Sequence, residues 1–194
     1  MKIMLGIILA VSLAGAVYAQ DPTGSEIKDR KENQQDRIAN GIASGQLTAG
    51  ETTKIETQES DLNKEVAKDR AANGGNLTNN QKSQINGQQN KLSKEIYNDK
   101  HNAATQKYGS NEVDQRRQNQ QSRIAKGVAS GQLTAGETAK LEGKESKINK
   151  EVGADRKANG GNLTNNQKAQ VNRQQNRVSK QIYNKKHNAA TAPK

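Results

Sequence analysis

Aliphatic residues recur along this chain at spacings of four and seven positions, which is the pattern of an amphipathic α-helix and not of a strand. Ile55, Leu62 and Val66 fall within about 40° of one another on a helical wheel with 100° per residue. Comparable apolar stripes occur in the segments before and after this one. The helices predicted from these stripes lie near residues 25–43, 48–71 and 78–101.

The whole pattern occurs twice. Residues 37–105 match residues 123–191 at a constant offset of 86, and 51 of the 69 aligned positions are identical. A repeat of this length is one module copied whole, so both copies are expected to have the same three helices. We therefore predict an all-α protein of two units, 24–109 and 110–194, each with three antiparallel amphipathic helices and six helices in total. The pattern leaves open whether these form one bundle or two linked ones.

Helix start and stop signals agree with the periodicity. In each copy, two threonines precede a Glu or Gln by three residues, which is the capping box that satisfies free amides at a helix start. The pairs are Thr48 with Glu51, Thr78 with Gln81, Thr134 with Glu137 and Thr164 with Gln167. Gly45 and Gly74-Gly75 mark the ends of the preceding helices, and such short turns favour antiparallel hairpins. Leu47 and Leu77, just before the caps, are expected to pack against the neighbouring helix.

Polar residues interrupt the apolar stripes at the same places in both copies. They are Gln34, Glu59 and Gln89, with Gln120, Glu145 and Gln175 as their counterparts. Such residues either form a buried layer that fixes helix register or stay half solvated. Because the 175 residues from Gln20 onward contain only 22 Leu, Ile and Val, we expect half solvation and thin, extended, moderately stable helices. A partly disordered chain that folds on a partner is the further alternative at this composition.

The N-terminus has the features of an export signal. Lys2 precedes an almost wholly apolar run, 3–14, and Ala19 closes a small-residue cleavage site. The run is shorter than the roughly 20 residues that cross a bilayer, which argues against the alternative of an uncleaved anchor. We therefore predict a signal peptide over 1–19, a short tail over 20–23, and a periplasmic or secreted protein.

Composition excludes several classes of function. The chain has no Cys, Trp or Phe, so it has no disulfide, thiolate nucleophile, zinc ribbon or lipoprotein anchor, and aromatic stacking platforms are not expected. Its two histidines, His101 and His187, are copies of each other at the predicted ends of the third helices, where a cation is favoured. No Ser–His–acid arrangement, phosphate loop or metal-ligand cluster is visible. The sequence predicts a protein that is not an enzyme, with no cofactor and no small-molecule substrate.

The segment 40–51 resembles an EF-hand calcium loop in shape, with Gly45 at the sixth position and Glu51 at the twelfth. However, the third position is Ile42, which cannot bind a cation, and the copy begins with Lys126. A hard dication needs several carboxylate oxygens, which none of the four comparable loops supplies. A degenerate EF-hand-type, calcium-responsive module is therefore the alternative function.

Several short motifs together resemble a known group of proteins. They are Arg37-Ile38-Ala39, Ser44-Gly45-Gln46-Leu47-Thr48 with Glu51, Gly75-Asn76-Leu77-Thr78, Ile96-Tyr97 and Lys100-His101-Asn102. The chain is similar in these motifs to small, uncharacterised exported bacterial proteins with tandem helical Gly-x-Leu-Thr-x-x-Glu units. The resemblance covers nearly all of the chain after the predicted signal peptide. It implies an all-helical envelope or secreted protein and brings no activity with it.

Charge separates the two copies. The first unit has 13 Lys and Arg against 12 Asp and Glu, and the second has 17 against 7, so the second accounts for +10 of the net charge of +11. The changes include Asp61 against Lys147 and Asp99 against Lys185. The candidate anion-binding residues are Arg173, Arg177, Lys180, Lys185 and Lys186. They predict docking on an anionic polymer or membrane surface, such as polysaccharide, lipid headgroups or extracellular nucleic acid, against the alternative of a merely solvated face.

Overall fold

The computed structural model describes residues 24–190, and these residues form six α-helices without a β-strand. The helices are α1 (Gly24–Ser44), α2 (Ala49–Ala72), α3 (Asn79–Lys100), α4 (Glu112–Ala129), α5 (Ala135–Ala158) and α6 (Asn165–Lys186). The predicted all-α class and the helix count are confirmed. The predicted signal peptide, 1–19, and the tail, 20–23, lie outside the described residues. Within the described part, no helix is long and apolar enough to span a bilayer.

The predicted caps start four of the helices. Thr48, Thr78, Thr134 and Thr164 each form both hydrogen bonds of a capping box. Gly45, with φ of 73°, follows the last residue of α1 in the left-handed region that favours glycine. Leu47 is fully buried and packs back on α1, where a Cβ added at Gly41 would lie 2.6 Å from its Cδ1 atom. The α1–α2 hairpin is therefore closed by a leucine that a side chain at position 41 would displace.

The two units form one bundle. The largest interface joins α2 to α5 and the next joins α1 to α4, while α3 and α6 each pack only on helices of their own unit. A Cβ at Gly50 would lie 3.5 Å from Ser146 Oγ, and one at Gly136 would lie 3.0 Å from Ser60 Oγ. Gly136 and Ser146 are the copies of Gly50 and Ser60, so each contact is the counterpart of the other. Helices α2 and α5 therefore run antiparallel and are related by a pseudo-two-fold axis. The extended arrangement expected from the small apolar content is wrong, because the units cover each other's apolar faces.

The polar residues in the apolar stripes are buried, and the expectation that they stay half solvated is wrong. Gln34, Glu59, Gln89, Gln120, Glu145 and Gln175 are at most 2% exposed. Gln34 Nε2 donates to the main-chain oxygen of Gln89 at 2.7 Å, and Gln89 Nε2 donates to that of Ile27 at 2.8 Å. The copies make the same bonds in the second unit. Burial is tolerated because each glutamine amide reaches a carbonyl on the neighbouring helix, which also fixes the register of that pair.

Candidate functional site

The basic residues of the second unit lie mainly on α6, an outer helix. Its buried side consists of Val171, Gln175, Val178 and Ile182. Arg173, Arg177 and Lys180 project from the opposite side and are exposed. The helix has six Lys and Arg and no Asp or Glu, whereas its copy α3 has four basic and two acidic residues. The exposed side of α6 therefore has basic side chains and no carboxylate.

A groove of about 460 Å³ runs between α5 and α6 beside this surface. Lys144 and Lys147 line it from α5 and Arg177 from α6, over an apolar floor that includes Ile148 and Val178. The groove contains one acidic residue, and its carboxylate accepts hydrogen bonds from glutamines of α6. Glu151 accepts hydrogen bonds from Gln170 at 2.7 Å and from Gln174 at 2.8 Å. Three cations thus face one carboxylate that is already hydrogen-bonded.

The first unit has the same groove with a different charge. Its volume is about 300 Å³, and Gln58, Asp61 and Lys91 stand where the second unit has Lys144, Lys147 and Arg177. Asp61 also forms an ion pair of 2.8 Å with Lys64. The acidic residue Glu65 is common to both copies as Glu151. The formal charge of the groove therefore changes from −1 in the first unit to +2 in the second.

Of the five predicted anion-binding residues, Arg177 lines this groove. Arg173 and Lys180 lie on the exposed side of α6 next to it, and Lys185 and Lys186 lie farther along the helix. Lys185 pairs with Glu137 at 3.2 Å at the start of α5. Lys186 is partly buried, and desolvation lowers the pKa of its ammonium group, with Arg123 and Lys126 acting in the same direction. Arg173, Arg177 and Lys180 therefore share the exposed side of α6, whereas Lys185 and Lys186 lie at its C-terminal end. Lys144 and Lys147, which complete the groove, were outside the predicted set although both differ in charge from their copies.

The histidines are placed as the sequence predicts, at the ends of α3 and α6. His101 is the C-terminal cap of α3, with Nδ1 2.7 Å from the Tyr97 main-chain oxygen and its ring stacked on that tyrosine at 4.2 Å. His187 and Tyr183 repeat the arrangement on α6. Each ring is therefore held by contacts within its own helix end.

The EF-hand-like segment does not form a twelve-residue loop. Residues 40–44 belong to α1 and residues 49–51 to α2, which leaves only Gly45 to Thr48 between the helices. Glu51, the one carboxylate of the frame, is used in the cap of α2. Among residues 24–190, no three His, Asp or Glu side chains are grouped so that they could hold a metal ion.

Four buried carboxyl groups lie where the two units meet, and only two of them had been singled out in the sequence. Glu56 and Glu142 are fully buried and accept hydrogen bonds from Gln35 at 3.2 Å and Gln121 at 2.9 Å. Desolvation raises the pKa of Glu56 to about 8, and it raises that of Glu142 well above its ordinary value. The pKa of both Glu59 and Glu145 rises to about 7 for the same reason, opposed by Lys31 and Arg117 respectively. We therefore expect the stability of the interface between the units to depend on pH. Glu56 and Glu142 fall outside the apolar stripes, so only the packing of α2 on α5 identifies them.

Comparison of the chain with protein-family models, curated proteins and solved structures finds no match. The similarity to small exported bacterial proteins stays a prediction. Because the two copies align over most of their length, each unit serves as the reference for the other.

Proposed function

We propose that this is an exported, non-enzymatic binding protein whose second unit docks on an anionic component of the cell envelope or surrounding matrix. The observation that carries the proposal is the formal charge of the two equivalent grooves, which is −1 in the first unit and +2 in the second. The ligand chemistry that fits is a surface with closely spaced negative charges, whether of a polymer or of lipid headgroups.

The arrangement supports binding at a surface more than burial of a small molecule. Arg173, Arg177 and Lys180 are exposed on a helix that contacts only its own unit, so a large partner has access to them. None of the three forms an ion pair within the described residues. Long basic side chains that are free of intramolecular partners favour association that depends on charge and weakens with salt.

The test removes two groove charges from the intact chain, because the shared core makes separate units unsuitable. The variant Lys144→Gln/Lys147→Gln is compared with Lys126→Asn/Lys157→Ala, which removes the same net charge at exposed positions outside the groove. The control uses residues that the first unit itself has at those places, Asn40 and Ala71. Binding is measured on anionic vesicles, on a sulfated polysaccharide and on DNA, at low and high salt.

We expect the groove variant to bind about 10- to 30-fold more weakly at low salt, at about 1 kcal/mol per basic residue near an anionic surface. The control should lose less than about threefold, from the change in net charge alone. The support that retains the larger difference identifies the kind of ligand. Equal losses in the two variants, or binding that does not change with salt, would contradict the proposed docking face.

Export has its own test. If the protein recovered from the periplasm or culture fluid begins at Gln20, mass spectrometry will give the mass of residues 20–194. A mass that includes residues 1–19 would contradict removal of the signal peptide.

A further inference from the structure

The first unit has a second cleft, separate from the α5–α6 groove. It lies between α1, α2 and the start of α5 and has a volume of about 540 Å³. Ile27, Leu62 and Val66 supply an apolar wall, and Lys28 and Arg70 supply positive charge. A cavity of this size, apolar with a few charged groups, is typical of binding sites.

The second unit fills its copy of this cleft with the linker between the units. The ring of Tyr108 lies over the Arg117 guanidinium, 5.4 Å from ring centre to Cζ. The preceding Gln106 accepts a hydrogen bond from Asn149 at 3.1 Å and donates its main-chain N–H to the Gly45 oxygen at 2.8 Å. Arg117 and Asn149 are the copies of Lys31 and Asn63, which line the first cleft. The chain itself therefore shows what this kind of cleft accepts, namely an extended segment with an aromatic side chain.

The two clefts differ in one acidic residue. In the second unit, Asp114 bonds to Arg117 at 2.7 Å and to Arg156 at 2.9 Å. The copy of Asp114 is Lys28, so a basic residue replaces the carboxylate that joins these two cations. Lys28, Lys31 and Arg70 consequently line the first cleft together. Lys28 pairs with Glu32 at 4.0 Å on the exposed surface. An acidic group of the occupant is therefore needed to join Lys28 and Arg70 as Asp114 joins Arg117 and Arg156 in the second unit.

The geometry of the linker shows where such an acid would sit. A Cβ added at Gly109, the residue after Tyr108, would lie 2.7 Å from the Asp114 Oδ2 atom. An acidic side chain directly after the aromatic residue of an occupant would therefore occupy the place of the Asp114 carboxylate. In the first cleft, that place adjoins Lys28.

We propose that the first-unit cleft binds a segment of a partner polypeptide in which an aromatic residue is followed directly by an acidic one. The ring packs against the apolar wall of Ile27 and Val66, in the place that corresponds to that of Tyr108 over Arg117 in the second unit, and the carboxylate pairs with Lys28 and Arg70. The second unit does not bind this segment, because Tyr108 already fills its cleft. This site is independent of the basic surface that is proposed to dock on an anionic ligand.

The test uses three acetylated, amidated peptides derived from the linker sequence QKYGS of residues 106–110. They are QKYDS, with ring and acid, QKADS, without the ring, and QKYGS, without the acid. Binding to the ¹⁵N-labelled chain from Gln20 to Lys194 is followed by amide chemical shifts. We expect QKYDS to shift amides of residues 27–31 and 59–70, and QKADS and QKYGS to bind at least about tenfold more weakly.

Two variants complete the test. Lys28→Asp, which restores the acid of the second unit at a half-exposed position, should weaken QKYDS binding about tenfold or more. Tyr108→Ala should open the second cleft, so that QKYGS also shifts amides of residues 113–117 and 145–156. This peptide needs no acidic residue there, because Asp114 already supplies the carboxylate. Equal binding of QKYDS and QKADS, or shifts confined to α6, would overturn the proposal. Binding that appears only after deletion of residues 20–23, which precede α1 as the linker 106–109 precedes α4, would also overturn it by making the chain its own occupant.

Discussion

The two units of this protein are alike in what folds them and different in what they expose. Both have the same capping boxes and the same pair of buried glutamines bonded to main-chain oxygens of the neighbouring helix. Among the described residues, they differ in the charge of the groove between the second and third helices and in the cleft beside the first helix, which Tyr108 covers in the second unit. The comparison teaches that one helical scaffold has kept its caps and its buried hydrogen bonds while its two surfaces have become distinct.

The apolar cores of the two units differ at the positions that flank this cleft. Val152 is 1% exposed and belongs to the main apolar core, whereas its copy Val66 is only partly buried beside a separate cluster. That cluster consists of Ile27, Leu62 and Ile85, whose copies in the second unit all belong to the main core. The main apolar core therefore includes these positions in the second unit and not in the first.

The largest expected effect concerns what the units share, the buried carboxyl groups between them. A raised pKa in the folded state means that the folded protein binds more protons than the unfolded chain between about pH 4.5 and pH 8. Stability from these groups is therefore complete at low pH and is lost as the pH rises through the folded pKa. We expect the free energy of unfolding, measured in urea, to fall by at least about 3 kcal/mol from pH 5 to pH 8.

Matched variants at the two central positions test the cause. Glu56→Gln and Glu142→Gln cannot ionise, so each should raise stability at pH 8 by about 1–3 kcal/mol and flatten the profile. Glu65→Gln, at a partly exposed position, serves as the control. A stability that does not change between pH 5 and pH 8, or an equal gain in the control, would contradict buried, protonated carboxyls at the interface.

The next effect concerns the cover of the second unit. Tyr108→Ala removes a ring that packs on Arg117, and we expect a loss of about 2–3 kcal/mol in the free energy of unfolding. The exposed Tyr97 and Tyr183, each stacked on a histidine at a helix end, are the matched controls, and alanine there should cost less than about 1 kcal/mol. Similar losses at all three tyrosines would show that the cover adds nothing to the core.

The caps should respond equally in both units. Thr48→Ala and Thr134→Ala each remove the same side-chain hydrogen bond at a helix start, and each should cost about 1 kcal/mol. Thr57→Ala, at an exposed position within α2, should cost much less. Independent sites usually agree to within about 0.5 kcal/mol. A clearly larger difference between the losses at the two caps would mean that the units are not equivalent scaffolds.

The smallest effect is a charge that the units do not share. Glu51 and Glu95 lie near Asp99, and after desolvation they contribute most to raising the pKa of that carboxyl. In the second unit the same position is Lys185, paired with Glu137. We expect Asp99→Lys to stabilise the protein by about 0.5 kcal/mol and Lys185→Asp to destabilise it by a similar amount, with both effects reduced in salt. Changes of the same sign in both variants would contradict this account.

The helices, their caps and their duplication were predictable because each depends on residues close together in sequence. A Thr followed three residues later by Glu or Gln, or an aliphatic residue repeated after four and seven positions, has a physical effect within one or two helical turns. The basic face of α6 was predictable in part, since Arg173, Arg177 and Lys180 share one side of a helix. Lys144 and Lys147 were not, because their nearness to Arg177 depends on how α5 packs against α6.

The sequence by itself determined six helices in two equal units and the concentration of positive charge in the second. Only the tertiary structure decided that the units share one core, that Gln34 and Glu59 are buried, and that Glu56 and Glu142 lie at the interface. It also decided that Tyr108 covers one cleft of a nearly identical pair. The physical reason is that hydrogen bonds within a helix are local, whereas the burial of a side chain depends on which distant segment packs over it.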